Sequence, residues 1–392
     1  MMAGLLFARA GVETLVLEKH SDFLRDFRGD TVHPSTMEIL DQLGMLERFL
    51  TRPHNRIDQA TGLVAGQRVT IGDLRYLKTP APFIAMMPQW DFLDFLRDEA
   101  EAFPAFALRQ NAEVSGVVQS GGRTIGVKLA GGELATARKL VIFADGRSSL
   151  VRTQALLPNR DLGAPIDVLW FRVPRRTDET EALRGVVDAG RLIAMLGRGD
   201  YWQCAFVIPK GEAERVKGRG IEAFRTEFAR LVPDLGPFGD ALSSVDDLHL
   251  LTVKLDRLER WHAPGMLAIG DAAHAMSPVG GIGINLAIQD AVAAANILAG
   301  PLARGETVDV LLHKVQRRRM WPTRVIQAGQ RFAHEAVIGA VLALRQPLAR
   351  PPLPVRLLNR FPLLRRIPGR IIGLGVRRER VKPPSPPRRR GP

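Results

Sequence analysis

Three hydrophobic runs in this chain each stop on an acid, and no other feature limits its fold as strongly. They read Leu15-Val16-Leu17-Glu18, Leu140-Val141-Ile142-Phe143-Ala144-Asp145 and Met266-Leu267-Ala268-Ile269-Gly270-Asp271. Short continuous apolar runs bounded by turn residues fit strands buried on both faces, the kind found in parallel sheets. Such sheets bind ligands in the crevice at the carboxyl ends of their strands, where these acids stand. One acid at a strand end usually only caps a turn. Three in order, with a different texture between the second and the third, point to one ligand reached from three loops.

Each strand end offers its own chemistry. Glu18 closes a strand that follows an apolar helix, Met1 to Ala10, ended by Gly11. An acid there can accept hydrogen bonds from ribose hydroxyls. Asp145-Gly146 can contact a ribose or support a phosphate, with Gly146 permitting close backbone approach. Gly270-Asp271 precedes Pro278, Gly280, Gly281, Gly283, Ile284 and Asn285. These residues open an Ala-rich helix, expected over 284–298, whose free amides suit an anion or a polarised ring edge.

The texture along the chain divides it into three parts. A helix begins at Pro34, with Pro in its first turn and Gly44 just past its end, and another covers Gln89 to Ala102. The stretch from Ile57 to Met87 is strand-like with Gly and Pro punctuation, and 168–208 reads as a sheet followed by a helix over 221–232. The reading is an α/β fold: a Rossmann-like nucleotide-binding domain over 1–56, 89–155 and 252–340, with a mainly antiparallel sheet domain over 57–88 and 156–251 inserted in it. Residues 341–392 form a basic, Pro/Arg-rich extension whose end is expected to be disordered.

Charge separates that extension from the rest. From Arg345 onward it holds fourteen of the 55 basic residues but one of the 41 acids, Glu379, so the body is nearly balanced. A nucleic-acid enzyme would spread basic and aromatic residues through its body, and none of that is visible here. One cysteine, Cys204, excludes an internal disulfide and a cysteine-cluster metal site, and no metal is expected. No apolar run reads as a bilayer span, so a cytoplasmic protein is expected.

Three segments together carry a family resemblance. "GDAAHAMSPVGGIGINLAIQDAVAAANIL", "ADGRSSLVR" and "LVLEK" resemble the single-component FAD-dependent aromatic monooxygenases of the para-hydroxybenzoate hydroxylase and ubiquinone-pathway hydroxylase type. The resemblance spans roughly 1–332. It implies FAD as cofactor, with Asp271 on the ribityl chain and Pro278 and 280–286 along the isoalloxazine. It implies a role for Asp145 and Gly146 in cofactor and nicotinamide handling, and Glu18 on the adenosine ribose. Arg28 in "FRGDTVHPSTMEIL" and Gln89 in "PQWDFLDFL" match positions that contact the diphosphate and ribose. In that family a strand and a G-x-G-x-x-G turn precede the first helix. The sequence opens inside that helix, so the first strand is expected upstream of Met1.

The resemblance also implies the reaction: NADPH or NADH reduces the flavin, which then uses O2 to hydroxylate an aromatic or quinone-precursor ring. No catalytic side chain is assigned. His274 and His33 read as a loop histidine held by backbone and a helix cap, and Tyr76 and Tyr201 as packed strand residues. The alternatives are an FAD-dependent reductase of the same fold or a flavin-less scaffold. A halogenase is disfavoured, because "YWQCAFVIP" has Trp202, Ile208 and Pro209 but lacks the second Trp of the halogenase signature. For the extension two readings compete: peripheral contact with an anionic membrane, or an arm whose apolar half packs on the nucleotide-binding domain.

Overall fold

The structure is a computed structural model that describes residues 1–24, 31–176, 178–179, 183–188, 190–235, 241–346, 348 and 350–382. Helix α1 (Met2–Arg9) leads into β1 (Thr14–Leu17). After β2 (Thr31–Val32), helix α2 (Pro34–Gln42) starts on its proline, whose missing N–H is no loss in a first turn. Then come β3 (Asn55–Ile57), β4 (Gln59–Val64), β5 (Gln67–Asp73), β6 (Ile84–Met86), α3 (Gln89–Glu101), β7 (Phe106–Arg109) and β8 (Val141–Phe143).

The parallel part of the fold is in two pieces. β1 pairs in parallel with β7, Thr14 opposite Phe106. β8 pairs in parallel with β15 (Met266–Ala268), which also pairs antiparallel with β14 (His262–Ala263). Among the described strands nothing bridges the two pieces, and β1 and β8 each pair on one side only. The main core lies under both. Leu5, Leu6 and Phe7 of α1 pack with Trp261, Leu267 and Ala268, and with Ile288 and Val292 of α5 (Gly283–Ala303).

Residues 279–303, α5 with its leading turn, are long and apolar enough to cross a membrane, contrary to the expectation that no run qualified. Its most apolar window is 67% buried, which identifies the core helix of a folded domain.

A seven-stranded sheet stands against this domain. Its order is β13 (His249–Leu251), β9 (Ile166–Pro174), β12 (Tyr201–Pro209), β11 (Arg191–Arg198), β10 (Leu183–Asp188), β4, β5. Only β10 and β4 pair in parallel. Because strand side chains alternate between faces, β9 divides cleanly. Leu169, Phe171 and Val173 pack on one side with Phe224 and Phe228 of α4 (Ile221–Leu231). Ile166, Val168 and Trp170 face the other way, toward Val279 and Ile338. The strand-like stretch 57–88 splits: β4 and β5 join this sheet, while β6 pairs with β2 and β3 in a small sheet of its own.

Beyond α6 (Asp309–Phe332) the arm expected to pack its apolar half on the nucleotide-binding domain does pack on the body, but largely against the sheet strand β5. Helices α7 (Leu353–Arg360) and α8 (Arg366–Leu374) lie along β5, and 377–382 run back over α2 and α6. Close packing of α8 depends on small residues. A Cβ on Gly369 would stand 2.1 Å from the carbonyl oxygen of Asp73. The expected disorder of the terminus falls on 383–392, outside the described residues.

Candidate functional site

The loop from Gly270 to Asn285 is held by three separate clamps. Beneath it lies Asp290 of α5: its Oδ2 accepts the Gly270 amide at 3.0 Å and meets His274 Nε2 at 2.6 Å. Its Oδ1 accepts Arg319 Nε at 2.7 Å, and all three side chains are fully buried. Burial alone would raise the Asp290 pKa, but His274 and Arg319 hold it below the ordinary value. Arg319 reaches on to Glu379 of the terminal segment at 3.3 Å, and Arg318 binds the same carboxylate at 2.9 Å. His274 is thus held by a carboxylate, not by backbone groups as expected.

The second clamp comes from α6 and the turn after it. Gln330 accepts the Ser277 amide at 3.2 Å and donates to the carbonyls of Ser277 and Val279 at 3.0 and 3.1 Å. His334, whose pKa burial lowers, meets Ser277 Oγ at 2.8 Å.

The third clamp is the start of α2. Asn285 Oδ1 accepts both the His33 amide at 3.0 Å and Thr36 Oγ1 at 2.7 Å, while Thr31 Oγ1 donates to the Gly281 carbonyl at 3.0 Å. Gly280 and Gly281 take φ of +83° and +61°, which L side chains rarely adopt. A Cβ on Gly281 would also stand 2.5 Å from Thr31 Oγ1. Only glycine allows the loop to approach β2 this closely.

His33 is the N-cap residue of α2, yet its side chain caps nothing. Nδ1 lies 2.7 Å from the carbonyl oxygen of Ile372 in α8. A carbonyl can only accept, so the proton sits on Nδ1 and Nε2 is left as an acceptor. Nε2 is buried without a partner among the described residues and faces Gly281, 3.5 Å from where a Cβ would be. Burial pushes the His33 pKa down to about 4, so the ring is neutral near pH 7.

The other strand-end acid joins this loop at its near end. Asp145 accepts the Leu150 amide at 3.0 Å, and the one-turn helix Gly146–Ser148 lies against the one-turn helix Gly270–Ala272. Arg147 bridges them, its guanidinium 3.5 Å from Asp271 Oδ2. Behind it Arg152 binds Asp256 at 2.9 Å, its pKa lowered by burial.

Of the expected residues, the structure brings together Asp145, Gly146, Gly270, Asp271, Pro278, Gly280, Gly281, Gly283, Ile284 and Asn285 along one connected path. Glu18 stays at the end of β1, its Oε1 accepting the His20 amide at 3.0 Å, and Gln89 opens α3. Arg28 lies outside the described residues. Tyr76 is not in a strand: it sits in the turn after β5, 48% exposed, with the Arg366 guanidinium 3.7 Å from its ring centre. Trp202, from the halogenase comparison, faces away from the loop into the α4 side of the sheet and donates to Glu179 at 2.7 Å.

The clamps themselves, Asp290, Arg319, Glu379, Gln330 and His334, were not read from sequence. The one available signal was polar residues in otherwise apolar helices, Asp290 and Gln289 in the Ala-rich run above all.

These features fit a flavin dinucleotide. The glycine loop leaves backbone exposed beside a buried acceptor, α5 offers its first amides, and the half-buried Asp271 carboxylate can accept hydrogen bonds from hydroxyls. A cavity of about 440 Å³ on the outer side of α6, lined by His313, Arg317 and Trp321, shares none of these residues.

Comparison with known proteins agrees. A family profile described as FAD binding domain matches residues 1–328. The chain is 32% identical over 320 residues to 6-methylpretetramide 4-monooxygenase of Streptomyces rimosus, covering 80% of this chain and 76% of that one. It is 30% identical over 306 residues to rifampicin monooxygenase of Streptomyces venezuelae, covering 74% of this chain but only 60% of the relative. Among solved structures it resembles PqsL, a probable FAD-dependent monooxygenase from Pseudomonas aeruginosa, with a TM-score of 0.71 at 20% identity over 87% of this chain and 93% of that one. It also resembles the Diels-Alderase PyrE3, with a TM-score of 0.75 at 22% identity over 97% and 79%. These two likenesses concern the fold.

Proposed function

We propose a reaction from one premise: the chain belongs to the FAD binding domain family, alongside flavin-dependent aromatic monooxygenases. On that basis it uses FAD, NADPH or NADH and O2 to hydroxylate an aromatic or quinone-like ring. Bound FAD supplies the oxygen-transfer chemistry, and the chain supplies orientation and a dry enclosure. Asp271 would hold the ribityl chain, Asp145 and Gly146 would flank it, and Glu18, Arg28 and Gln89 would serve the adenosine and diphosphate end. Pro278 to Asn285 would form the bed of the ring system.

The observation that carries the substrate class is the sheet face turned toward that bed. Trp170 of β9, Ala205 of β12 and Ala194 of β11 form one row, each opposite the next in register. Trp170, Ala205 and Ala194 belong to the same apolar cluster as Val279 of the loop. Two alanines beside a tryptophan make a shelf on which a flat ring can stack, at the offset geometry aromatic pairs prefer. At its edge Gln203, 4% exposed, accepts from Arg198 through Oε1 and has an Nε2 without a partner among the described residues. That amide is a donor suited to a ring carbonyl or phenolic oxygen.

Two measurements test this reading. FAD added to the purified chain should give a bound flavin spectrum, and NADPH or NADH oxidation should rise when a phenolic polycycle is supplied. Ala205→Trp fills the shelf and should raise KM at least tenfold with the flavin spectrum unchanged. A chain that stays colourless after incubation with FAD would overturn the assignment.

A further inference from the structure

We propose that the outer face of α7 and α8 is a docking surface for an anionic lipid bilayer. This rests on different residues from the site above and stands without it.

The two helices turn one side to the protein and leave the other bare. In α7, Asn359 faces inward and ties itself to β5 through the Thr70 amide and the Arg68 carbonyl. In α8, Gly369, Gly373 and Leu374 are buried. The outward positions follow the helical period. On α7 they are Leu353, Arg356, Leu357 and Arg360; on α8 they are Arg366, Ile367, Arg370 and Ile371, all exposed. The connecting turn adds Phe361, Leu363 and Leu364, with Leu363 66% exposed. Seven large apolar side chains therefore stand in water on three consecutive elements, more than the scattered exposure normal for a surface.

The charge on this face selects the occupant. No Asp or Glu occurs between Glu335 and Glu379, while nine arginines do. Arg365 is spent within the motif, donating to the carbonyls of Leu358 and Asn359. Arg356, Arg360 and Arg370 make no ion pair with any described residue. A second copy docking symmetrically would set these arginines against themselves. A layer that offers phosphates in a plane, with hydrocarbon just below, satisfies both halves of the pattern. Guanidinium forks pair with phosphates bidentately, and Leu, Ile and Phe insert a few ångströms into the acyl boundary. Interleaving the two residue types on one face suits a shallow interfacial position, because arginine stems lie along apolar surface while their heads reach the phosphates.

The test is co-sedimentation of the full chain with vesicles of phosphatidylglycerol and phosphatidylcholine mixed, and of phosphatidylcholine alone. Binding is expected to the mixed vesicles only, and to weaken as salt rises. Each of Arg356→Gln, Arg360→Gln and Arg370→Gln should weaken it about fivefold. Phe361→Ser with Leu363→Ser should abolish it at unchanged charge. Replacing Arg388, Arg389 and Arg390 by Gln should leave most of the binding in place. No binding to mixed vesicles, or binding lost with the 388–390 change but indifferent to Phe361 and Leu363, would overturn the proposal. So would a dimer by light scattering that dissociates when Phe361 and Leu363 are replaced.

Discussion

His33 joins regions that are far apart in sequence: its amide holds Asn285, its Nδ1 holds the Ile372 carbonyl, and its Nε2 faces Gly281. The ring is neutral in the folded state, with a pKa of about 4, whereas an unfolded histidine titrates near 6.5. Between those values the unfolded chain binds a proton that the folded chain refuses. Stability from this group is therefore complete above about pH 6.5 and falls as pH drops toward 4, by at most about 3 kcal/mol. His33→Asn, which retains a donor near the Nδ1 position, should flatten that part of the profile in urea unfolding measured from pH 7 to pH 4. An unchanged slope would assign it to other groups. Asp290 acts in the same sense at lower pH. Its pKa is depressed in the fold, so its contribution is full above the ordinary carboxylate range and is lost as pH falls through the folded value. The acids at strand ends were legible because each closes a short apolar run, and it was their order along the chain that set them apart from turn caps. The role of His33 was not, because its partner lies 339 positions away.

At the scale of elements, legibility followed local pattern. Helices α2 and α3 and the strands β9, β11 and β12 carry their period in their own residues and fell close to where the sequence put them. Strand β10 did not, since Leu183–Asp188 has no clear alternation and becomes a strand by pairing with β11 on one side and β4 on the other. The docking of α8 was equally hidden, because it depends on space at Gly369 more than on its apolar content. Gly369→Val should lift α8 from β5 and release the Ile372 carbonyl from His33, read as faster hydrogen exchange over residues 366–382. Full protection in that variant would show that α8 is not held there. Glu379→Ala leaves Arg319 buried beside a single carboxylate, and removing one partner of a buried pair typically costs about 3–5 kcal/mol. The expected result is a lower urea midpoint than that of the exposed-pair variant Glu133→Ala, which should barely move it because water screens that pair.

The whole molecule is organised around a loop that belongs to none of its layers outright. The nucleotide-binding domain supplies its floor through Asp290, the small sheet its side through Thr31, and the large sheet its roof through Trp170. A ligand filling that space should stabilise the assembly by mass action, so saturating FAD should raise Tm and Asp271→Ala should reduce the gain. An equal gain in the variant would place the cofactor contact elsewhere.

The contacts Ile372 to His33 and Arg378 to Glu38 join segments 339 and 340 residues apart. A polypeptide emerging from the ribosome must be synthesised as far as residue 378 before both can form. The wall behind the glycine loop is thus the last part to be closed. A chain folded as far as α6 already holds the loop through Asp290, Gln330 and the start of α2, and the terminal segment then braces two of the groups behind it, Arg319 through Glu379 and His33 through the Ile372 carbonyl. The terminal segment thus works as a late brace on a loop that is already seated.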